Sequence, residues 1–332
     1  MDFQRWKGKS YLAEKDFDAT SLLEIVDLAK SLRAKTSSER TKHLEGKRIA
    51  LVFEKDSTRT RCAFEVAAYR QGALTTYLGP TGSHLGREES VADTAKVLGR
   101  MYDAIAYRGF AQETVETLAQ HSGMPVYNAL TDQWHPTQSL ADVMTMTDHV
   151  TKALSEISFC FVGDGRNNVA RSLLITGALL GMDVRICSPS ALWPDSKTVA
   201  QAEEFARSCG ARVLVSDNPE EALLGVDFIY SDVWLSMGEP KELMHSRVEM
   251  LAPYQVNKEL LELVGHGNWR FMHCLPALHD RSTEAGSELG RLYGDSAFEV
   301  TDEIFNSERS IVFEQAENRL YTIEALMVAT LS

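Results

Sequence analysis

The sequence predicts an α/β fold of two domains, each with a mainly parallel sheet flanked by helices. Short apolar runs of strand length alternate with longer amphipathic stretches, and this alternation is typical of parallel sheets covered by helices. A length of 332 residues suits two domains of common size. Hydrophobic residues make up 44% of the chain and charged residues 24%, as in ordinary globular proteins rather than disordered ones.

The individual elements follow from where apolar residues run together and where they recur every three or four positions. In the first half, strands are predicted at 48–53, 75–78, 104–107 and 125–128, and helices at 58–71, 90–101 and 114–122. In the second half, strands are predicted at 157–162, 183–187, 212–215, 228–230, 269–272 and 311–313, and helices at 168–180, 200–208 and 317–331. The segment 138–152 is expected to connect the two halves.

Charge is divided unevenly along the chain. The formal net charge is −13, but residues 1–150 hold 19 basic and 20 acidic side chains, whereas residues 151–332 hold 15 and 27. An acidic chain without a Lys/Arg-rich run predicts no nucleic-acid partner, because phosphate neutralisation requires clustered cations. No apolar run reaches the length of a membrane span, and the N-terminus lacks the apolar core of a signal peptide. Five scattered cysteines predict free thiols, no paired-cysteine metal site and a cytoplasmic location.

An anion site is predicted at Ser57, Thr58, Arg59 and Thr60, which follow the first strand and open a helix. The first N–H groups of a helix are unpaired and lie at its positive end, so hydroxyls and guanidinium groups there suit a phosphate. N-capping by Ser57 or Thr58 beside solvated arginines would explain the same residues equally well. Without a glycine-rich P-loop, a small phosphorylated substrate is favoured over a nucleotide.

Three further side chains follow other strands of the first half. Arg108 ends a predicted strand, and His135 and Gln138 lie between a strand and a helical run. Each of them alone is also compatible with a packed or solvated role. Ligands bind beyond the carboxyl ends of strands in open α/β sheets, so these residues are expected to converge with Ser57 and Arg59. Together they would suit a dianion that carries an adjacent carbonyl group.

The second half places polar residues after three strands. Gly163-Asp164-Gly165 opens a helix as a dinucleotide-binding loop would, but Asn168 replaces the third glycine, so a turn that presents Asn168 to a small ligand is favoured. Asp232 would suit a substrate ammonium group, although a solvated loop explains it too. His273 and Cys274 suggest a thiolate nucleophile, but adjacent strand residues point to opposite faces, so a lining or core cysteine is favoured.

Taken together, these motifs resemble the aspartate/ornithine carbamoyltransferase family, and its ornithine branch in particular. The resemblance rests on Ser57-Thr58-Arg59-Thr60-Arg61, His135-Pro136-Thr137-Gln138, Asp232 with Ser236-Met237-Gly238, His273-Cys274-Leu275-Pro276 and Glu317-Asn318-Arg319. It implies two α/β domains, 1–150 with the returning C-terminal helix 317–332, and 151–316. It implies transfer of a carbamoyl group from carbamoyl phosphate to the δ-amine of L-ornithine, without a metal or organic cofactor. It also implies homotrimers, often stacked, with shared active sites.

The resemblance also implies residue roles. The implied carbamoyl-phosphate ligands are Ser57, Thr58, Arg59, Thr60, Arg108, His135, Gln138, Cys274, Leu275 and Arg319. Thr60, Arg108 and His135 would polarise the carbonyl, Gln138 would hold the carbamoyl NH2, and Cys274 would lie near the reacting amine. The implied ornithine ligands are Asn168, Asp232, Ser236 and Met237. The Leu275-Pro276 peptide bond is cis in the family.

One position departs from the family pattern. Members commonly place a glutamine in the loop that reaches a neighbour's phosphate site, and here His84 takes that position. A histidine also donates to phosphate, whereas Ser83 or Arg87 could make the contact instead.

Three rival functions are compatible with parts of the sequence. The acceptor could be putrescine, aspartate or an acylated ornithine, although Asp232 and the Ser236-Met237-Gly238 loop favour an acceptor with a free α-amino group and disfavour aspartate. An NAD-dependent dehydrogenase would rest on Gly163-Asp164-Gly165 alone. A regulatory or scaffolding protein without turnover is disfavoured by the intact arginines and His135.

Overall fold

The protein is described by a computed structural model that covers residues 3–36, 38–81, 89–235, 239–295 and 298–332. The chain divides into two compact units, Met1–Thr145 with Ala316–Ser332, and Met146–Gln315. Within the described ranges, no helix is both long and apolar enough to cross a lipid bilayer.

The first unit is built on a parallel sheet with the strand order β2-β1-β3-β4. Apolar strands pack between helices, and Ile49, Leu51 and Ile105 are fully buried. Its strands are β1 (Arg48–Phe53), β2 (Leu74–Leu78), β3 (Ala104–Arg108) and β4 (Val126–Leu130), and its helices are α1 (Ala19–Ala34), α2 (Thr58–Gln71), α3 (Val91–Leu98), α4 (Gln112–Ser122) and most of α5 (Pro136–His149).

The second unit repeats this plan with a parallel sheet in the order β7-β6-β5-β8-β9. Its strands are β5 (Ser158–Val162), β6 (Asp183–Cys187), β7 (Arg212–Ser216), β8 (Phe228–Ser231) and β9 (Arg270–His273). Its helices are α6 (Asn168–Leu179), α7 (Ser196–Cys209), α8 (Pro219–Leu223), α9 (Met244–Leu251), α10 (Lys258–Glu262), α11 (Glu284–Tyr293) and α12 (Asp302–Phe305), and α13 (Val312–Leu331) follows. The predicted fold class, with two helix-flanked parallel sheets, is confirmed.

Each sheet has one point at which the strand order changes direction. In the first unit, β1 is followed by β2 on one side and by β3 on the other, and Phe53 of β1 is paired with Arg108 of β3. In the second unit the change falls between β5 and β8, where Val162 is paired with Ser231. Such switch points leave a crevice beyond the carboxyl ends of the strands, so they position a ligand site in each unit.

The C-terminal helix packs on the first unit, as the family resemblance implies. The Thr330 and Tyr127 hydroxyls lie 2.6 Å apart, and Gln71 Nε2 donates to Glu324 Oε1 over 2.6 Å. Glu324 is fully buried, so these contacts satisfy a carboxylate that would otherwise be costly to bury.

The predicted strand at 311–313 is wrong. The backbone N–H of Ile311 donates to Phe271 O over 3.0 Å, but this bond belongs to an isolated bridge between Phe271 and Ser310, and α13 already begins at Val312. A short apolar run such as Ile311-Val312-Phe313 suits a buried strand and the start of a helix equally, so periodicity alone could not separate them.

Candidate functional site

In the first unit, two guanidinium groups converge on the hydroxyl of Thr60. Arg319 Nη2 lies 2.9 Å from Thr60 Oγ1, and Arg108 Nη1 lies 3.5 Å from the same oxygen. All three side chains are buried, with Thr60 fully so. Residues from α2, β3 and α13 therefore place two positive charges at the switch point of the first sheet.

Burial and these two charges lower the pKa of the neighbouring His135 imidazole. Burial lowers the pKa of its imidazole well below the usual value, and the charges of Arg319 and then Arg108 lower it further. His135 is therefore a neutral imidazole at neutral pH. Burial is the larger cause of this shift, and the positive potential of the two arginines that adds to it also favours an anion nearby.

The N-terminus of α2 adds backbone donors to the same region. Ser57 is its N-cap, and its Oγ accepts from the backbone N–H of Thr60 over 3.2 Å. Thr58 is exposed and Arg59 is half-buried in the first turn. The capping role foreseen for Ser57 is thus real, and it does not compete with anion binding because the other first-turn N–H groups remain at the positive helix end.

A salt bridge next to this site was not anticipated from the sequence. Lys55 Nζ lies 2.5 Å from an Asp132 oxygen, and the ammonium also lies 4.3 Å from the centre of the Phe110 ring. The pair ties the segment before Ser57 to the loop before His135. No sequence signal connects positions 55 and 132, because the contact depends on how β1 and β4 are arranged in the sheet.

In the second unit, Asp232 follows β8 and is held by two neighbours. Asn167 Nδ2 donates to Asp232 Oδ2 over 3.0 Å, and the Cys274 thiol lies 3.1 Å from Asp232 Oδ1. Burial raises the pKa of Asp232, while His273 and the hydrogen bond from Cys274 partly counteract that rise. The result is a buried carboxylate at the switch point of the second sheet, where a cation would relieve the cost of its charge.

Asn167, which was not predicted as a site residue from the sequence, makes a contact with Asp232. Asn167 is the N-cap of α6 and accepts from Ala170 N over 2.7 Å, so both of its amide atoms are engaged. Asn168 is half-buried in the first turn. The preference of asparagine for N-cap positions is a signal that would have singled out Asn167.

The segment after β9 is fixed by His273. Its Nδ1 accepts from Leu275 N over 2.9 Å, and its Nε2 lies 3.4 Å from Glu299 Oε1. Glu299 also accepts from Leu278 N over 2.6 Å. The Nδ1 side of the imidazole is thus engaged by the backbone, and the Cys274 thiol contacts Asp232 instead, as strand alternation predicts. The Leu275–Pro276 bond is cis, which confirms that expectation.

The Gly163-Asp164-Gly165 turn serves the second unit in another way. A Cβ on Gly165 would lie 2.9 Å from the Leu192 carbonyl oxygen, so glycine is required by close packing. The Asp164 carboxylate is engaged by two arginines, Arg166 and Arg247, each at 3.0 Å. This acidic group is therefore part of an ion-pair network.

Three predicted site residues lie outside the described residues: His84, Ser236 and Met237. Leu275 is a half-buried residue with a positive φ of 59°, a conformation that few non-glycine residues adopt.

Two family models match consecutive parts of the chain. Residues 9–148 match the carbamoyl-P binding domain of aspartate/ornithine carbamoyltransferase, and residues 155–330 match its Asp/Orn binding domain. The fold and its two polar clusters thus define a two-domain α/β transferase.

Full-length relatives agree with the family models. The chain is 55% identical over 327 residues to a catabolic ornithine carbamoyltransferase of Rhizobium meliloti, with 98% of each chain covered. It is 51% identical over 329 residues to that of Chromobacterium violaceum, again with 98% of each covered. The structure of the ornithine carbamoyltransferase from Pyrococcus furiosus is similar at a TM-score of 0.88 and 37% identity, covering 98% of this chain and 97% of the other. The chain belongs to the aspartate/ornithine carbamoyltransferase family.

Proposed function

We propose that the protein transfers the carbamoyl group of carbamoyl phosphate to the δ-amine of L-ornithine, giving L-citrulline and phosphate. The observation that carries this proposal is the positive cluster around Thr60, where Arg108 and Arg319 meet one hydroxyl and add to the lowering of the His135 pKa by burial. The names of full-length relatives at 55% and 51% identity support ornithine as the acceptor.

The phosphate end of the substrate suits the first unit. Its dianion would be held by Arg59, Arg108, Arg319 and the N-terminal turn of α2. Arginine forks and helix N–H groups donate in directions that match phosphate oxygens, and charge-assisted bonds of this kind are about twice as strong as neutral ones. We therefore assign residues 1–150 with 317–332 to carbamoyl phosphate, and residues 151–316 to ornithine.

The carbonyl chemistry follows from the neutral state of His135. A neutral imidazole carries one N–H, which can donate a hydrogen bond to the carbonyl oxygen and stabilise negative charge there. The imidazole does not have to transfer a proton to the substrate first. Attack by the δ-amine converts the carbonyl carbon to a tetrahedral centre with an oxyanion. Thr60, Arg108 and His135 would stabilise that oxyanion, and each well-aimed donor contributes about 3–4 kcal/mol. Collapse of the intermediate breaks the bond between the carbonyl carbon and the bridging oxygen, and the released phosphate takes up the proton that the attacking amine loses.

The amino-acid end of ornithine suits Asp232. The α-ammonium group would pair with this buried carboxylate and lower the cost of its charge. Asn168 and the Ser236-Met237 segment would hold the rest of the amino-acid end, and Cys274 and Leu275 would lie near the reacting amine. Aspartate as acceptor would bring a second negative charge towards Asp232, which is unfavourable.

The test is citrulline formation with ornithine, putrescine, acetylornithine and aspartate at a fixed concentration of carbamoyl phosphate. We expect ornithine to have the highest kcat/KM, and a higher value for putrescine would overturn the choice of acceptor. Arg59→Ala should raise the KM for carbamoyl phosphate, whereas Asp232→Ala should raise the KM for ornithine. The opposite pattern would contradict the assignment of the two substrates.

The assembly that we propose is a homotrimer, or a stack of trimers, with shared active sites to which His84 of a neighbour contributes. Apolar side chains on α2 and β2 are exposed, with Tyr69 at 81%, Leu74 at 68% and Val66 at 45%, and burial against another copy would remove this apolar surface from water. Light scattering should give three times the 37.0 kDa of one chain, or a multiple of that mass. A monomer with full activity would contradict the proposal.

We also propose a cytoplasmic role in arginine breakdown. All five cysteines are free thiols, which suits a reducing compartment. Both full-length relatives are named catabolic enzymes, so the reaction from citrulline and phosphate should run readily. The measurement is the rate of ornithine release from citrulline with phosphate, and no measurable release would contradict this direction.

A further inference from the structure

We propose that Asp142 is a positioning residue that fixes the amide of Gln138, so that the protein selects an amino group over a methyl group on its acyl phosphate substrate. This inference rests on the proposed function, because Gln138 matters only if a carbamoyl NH2 must be recognised.

The geometry is contained in one turn of α5. Gln138 lies in the first turn, where its backbone N–H donates to His135 O over 3.0 Å. Asp142 lies four residues further on the same helix face, and Gln138 Nε2 donates to Asp142 Oδ1 over 2.8 Å. Gln138 is 1% exposed and Asp142 is fully buried, so water does not compete for this hydrogen bond.

The chemistry of the two groups decides which way the amide faces. The hydrogen bond runs from Gln138 Nε2 to a carboxyl oxygen of Asp142, so the NH2 group of the amide faces Asp142. The carbonyl oxygen Oε1 is then left as the free end of the side chain. Among the described residues, none donates a hydrogen bond to Gln138 Oε1. A buried acceptor without a donor is costly, and a substrate N–H would remove that cost.

Selectivity follows from this orientation. Carbamoyl phosphate and acetyl phosphate share the phosphate and the carbonyl, and they differ in having NH2 or CH3 beside it. Gln138 Oε1 can only accept, so it forms a hydrogen bond with the NH2 group of carbamoyl phosphate. When acetyl phosphate binds, the methyl group cannot donate and the buried oxygen of Gln138 stays unsatisfied. If Gln138 could turn its own NH2 towards the substrate, that distinction would be lost. Asp142 would therefore determine specificity without touching the substrate.

The experiment compares ligands rather than overall activity. The wild-type protein, Asp142→Asn and Asp142→Leu are assayed for citrulline formation to obtain the KM for carbamoyl phosphate. Acetyl phosphate and inorganic phosphate are measured as competitive inhibitors of the same reaction. Asp103→Asn is the matched control. Asp103 is also a carboxylate of the first unit and accepts from Arg48 N over 2.9 Å, but it precedes β3 and so lies at the amino-terminal ends of the strands, away from Gln138.

For the wild-type protein we expect carbamoyl phosphate to bind about tenfold more tightly than acetyl phosphate, the value of one hydrogen bond to a buried acceptor. Asp142→Leu should raise the KM for carbamoyl phosphate about tenfold and leave both inhibitors unchanged, so the preference disappears. Asp142→Asn should raise the KM for carbamoyl phosphate only about two- to threefold, because an asparagine can pair with either orientation of the Gln138 amide. Asp103→Asn should keep the wild-type preference.

An unchanged preference in Asp142→Leu would overturn the proposal, as would parallel weakening of all three ligands, which would mean that Asp142 supports the whole pocket. Retained inhibition by phosphate reports that the variant is folded. If Asp142→Leu does not fold, Asp142→Ser carries the same test, because its hydroxyl is too short to reach Gln138. A wild-type protein without turnover would refute the proposed function instead, so the two failures are distinguishable.

Discussion

Replacing Thr60 by valine tests the centre of the positive cluster. The two side chains have nearly the same shape, so the change removes one hydroxyl and adds one methyl group. In the structure that hydroxyl accepts from Arg319 over 2.9 Å and lies 3.5 Å from Arg108. Thr60 is fully buried, so water cannot replace it as an acceptor.

The magnitude can be worked out from these contacts. A hydrogen bond to a charged donor contributes about 1.5–3 kcal/mol, and the Arg108 contact adds little at its longer distance. The extra methyl group returns about 0.8 kcal/mol through burial. We therefore expect Thr60→Val to lose about 1–2 kcal/mol of unfolding free energy and, for a chain of 332 residues, about 1.5–3 °C in Tm. If Thr60 also donates to the oxyanion, kcat should fall about 100-fold.

The assay pairs thermal unfolding with steady-state kinetics. Thr20→Val is the control, since Thr20 is an exposed threonine of α1 and not of the α2–β2 surface, and the same chemical change there should stay within about 0.5 kcal/mol. A Thr60→Val protein with wild-type Tm and wild-type kcat would refute the view that this hydroxyl organises the two arginines.

Three further predictions concern single side chains. The pKa of His135 is lower in the folded protein than its value of 6.5 in the unfolded chain. Below pH 6.5 the unfolded chain therefore binds a proton that the folded protein does not bind, and the stability of the folded protein should fall as pH drops below 6.5. His135→Gln should show a smaller loss of Tm between pH 7.5 and pH 5.5, and an equal loss would contradict the neutral imidazole. Burial raises the pKa of Asp232, so the charge of this carboxylate lowers the stability of the folded protein at neutral pH. Asp232→Asn should therefore have a higher Tm than the wild type at pH 7.5, and the difference in Tm should shrink as pH falls through that pKa. The same variant should bind ornithine much more weakly. Cys274→Ser should keep turnover within about tenfold, since a hydroxyl also donates to Asp232, whereas complete loss would indicate that the thiol is a nucleophile.

The sequence predicted the architecture because strands and helices leave local periodic signals. The bounds of β1, α2 and β6 agree with the structure at both ends, since each is flanked by clear capping or turn residues. The error at Ile311-Val312-Phe313 arose where a three-residue apolar run carries no period. The contact of Asn167 with Asp232 was missed because it joins two loops that are 65 residues apart in the chain.

The sequence by itself determined the class of fold, the family and the residue types that the two clusters contain. Those properties depend on local pattern and on motifs that are contiguous in the chain. Only the tertiary structure decided that Arg319 and Arg108 share one hydroxyl, that burial and these charges together keep His135 neutral, and that Gln138 donates a hydrogen bond to Asp142. The physical reason is that potential and hydrogen-bond direction depend on distance and burial. The chain sets both only when it brings the carboxyl ends of its parallel strands together.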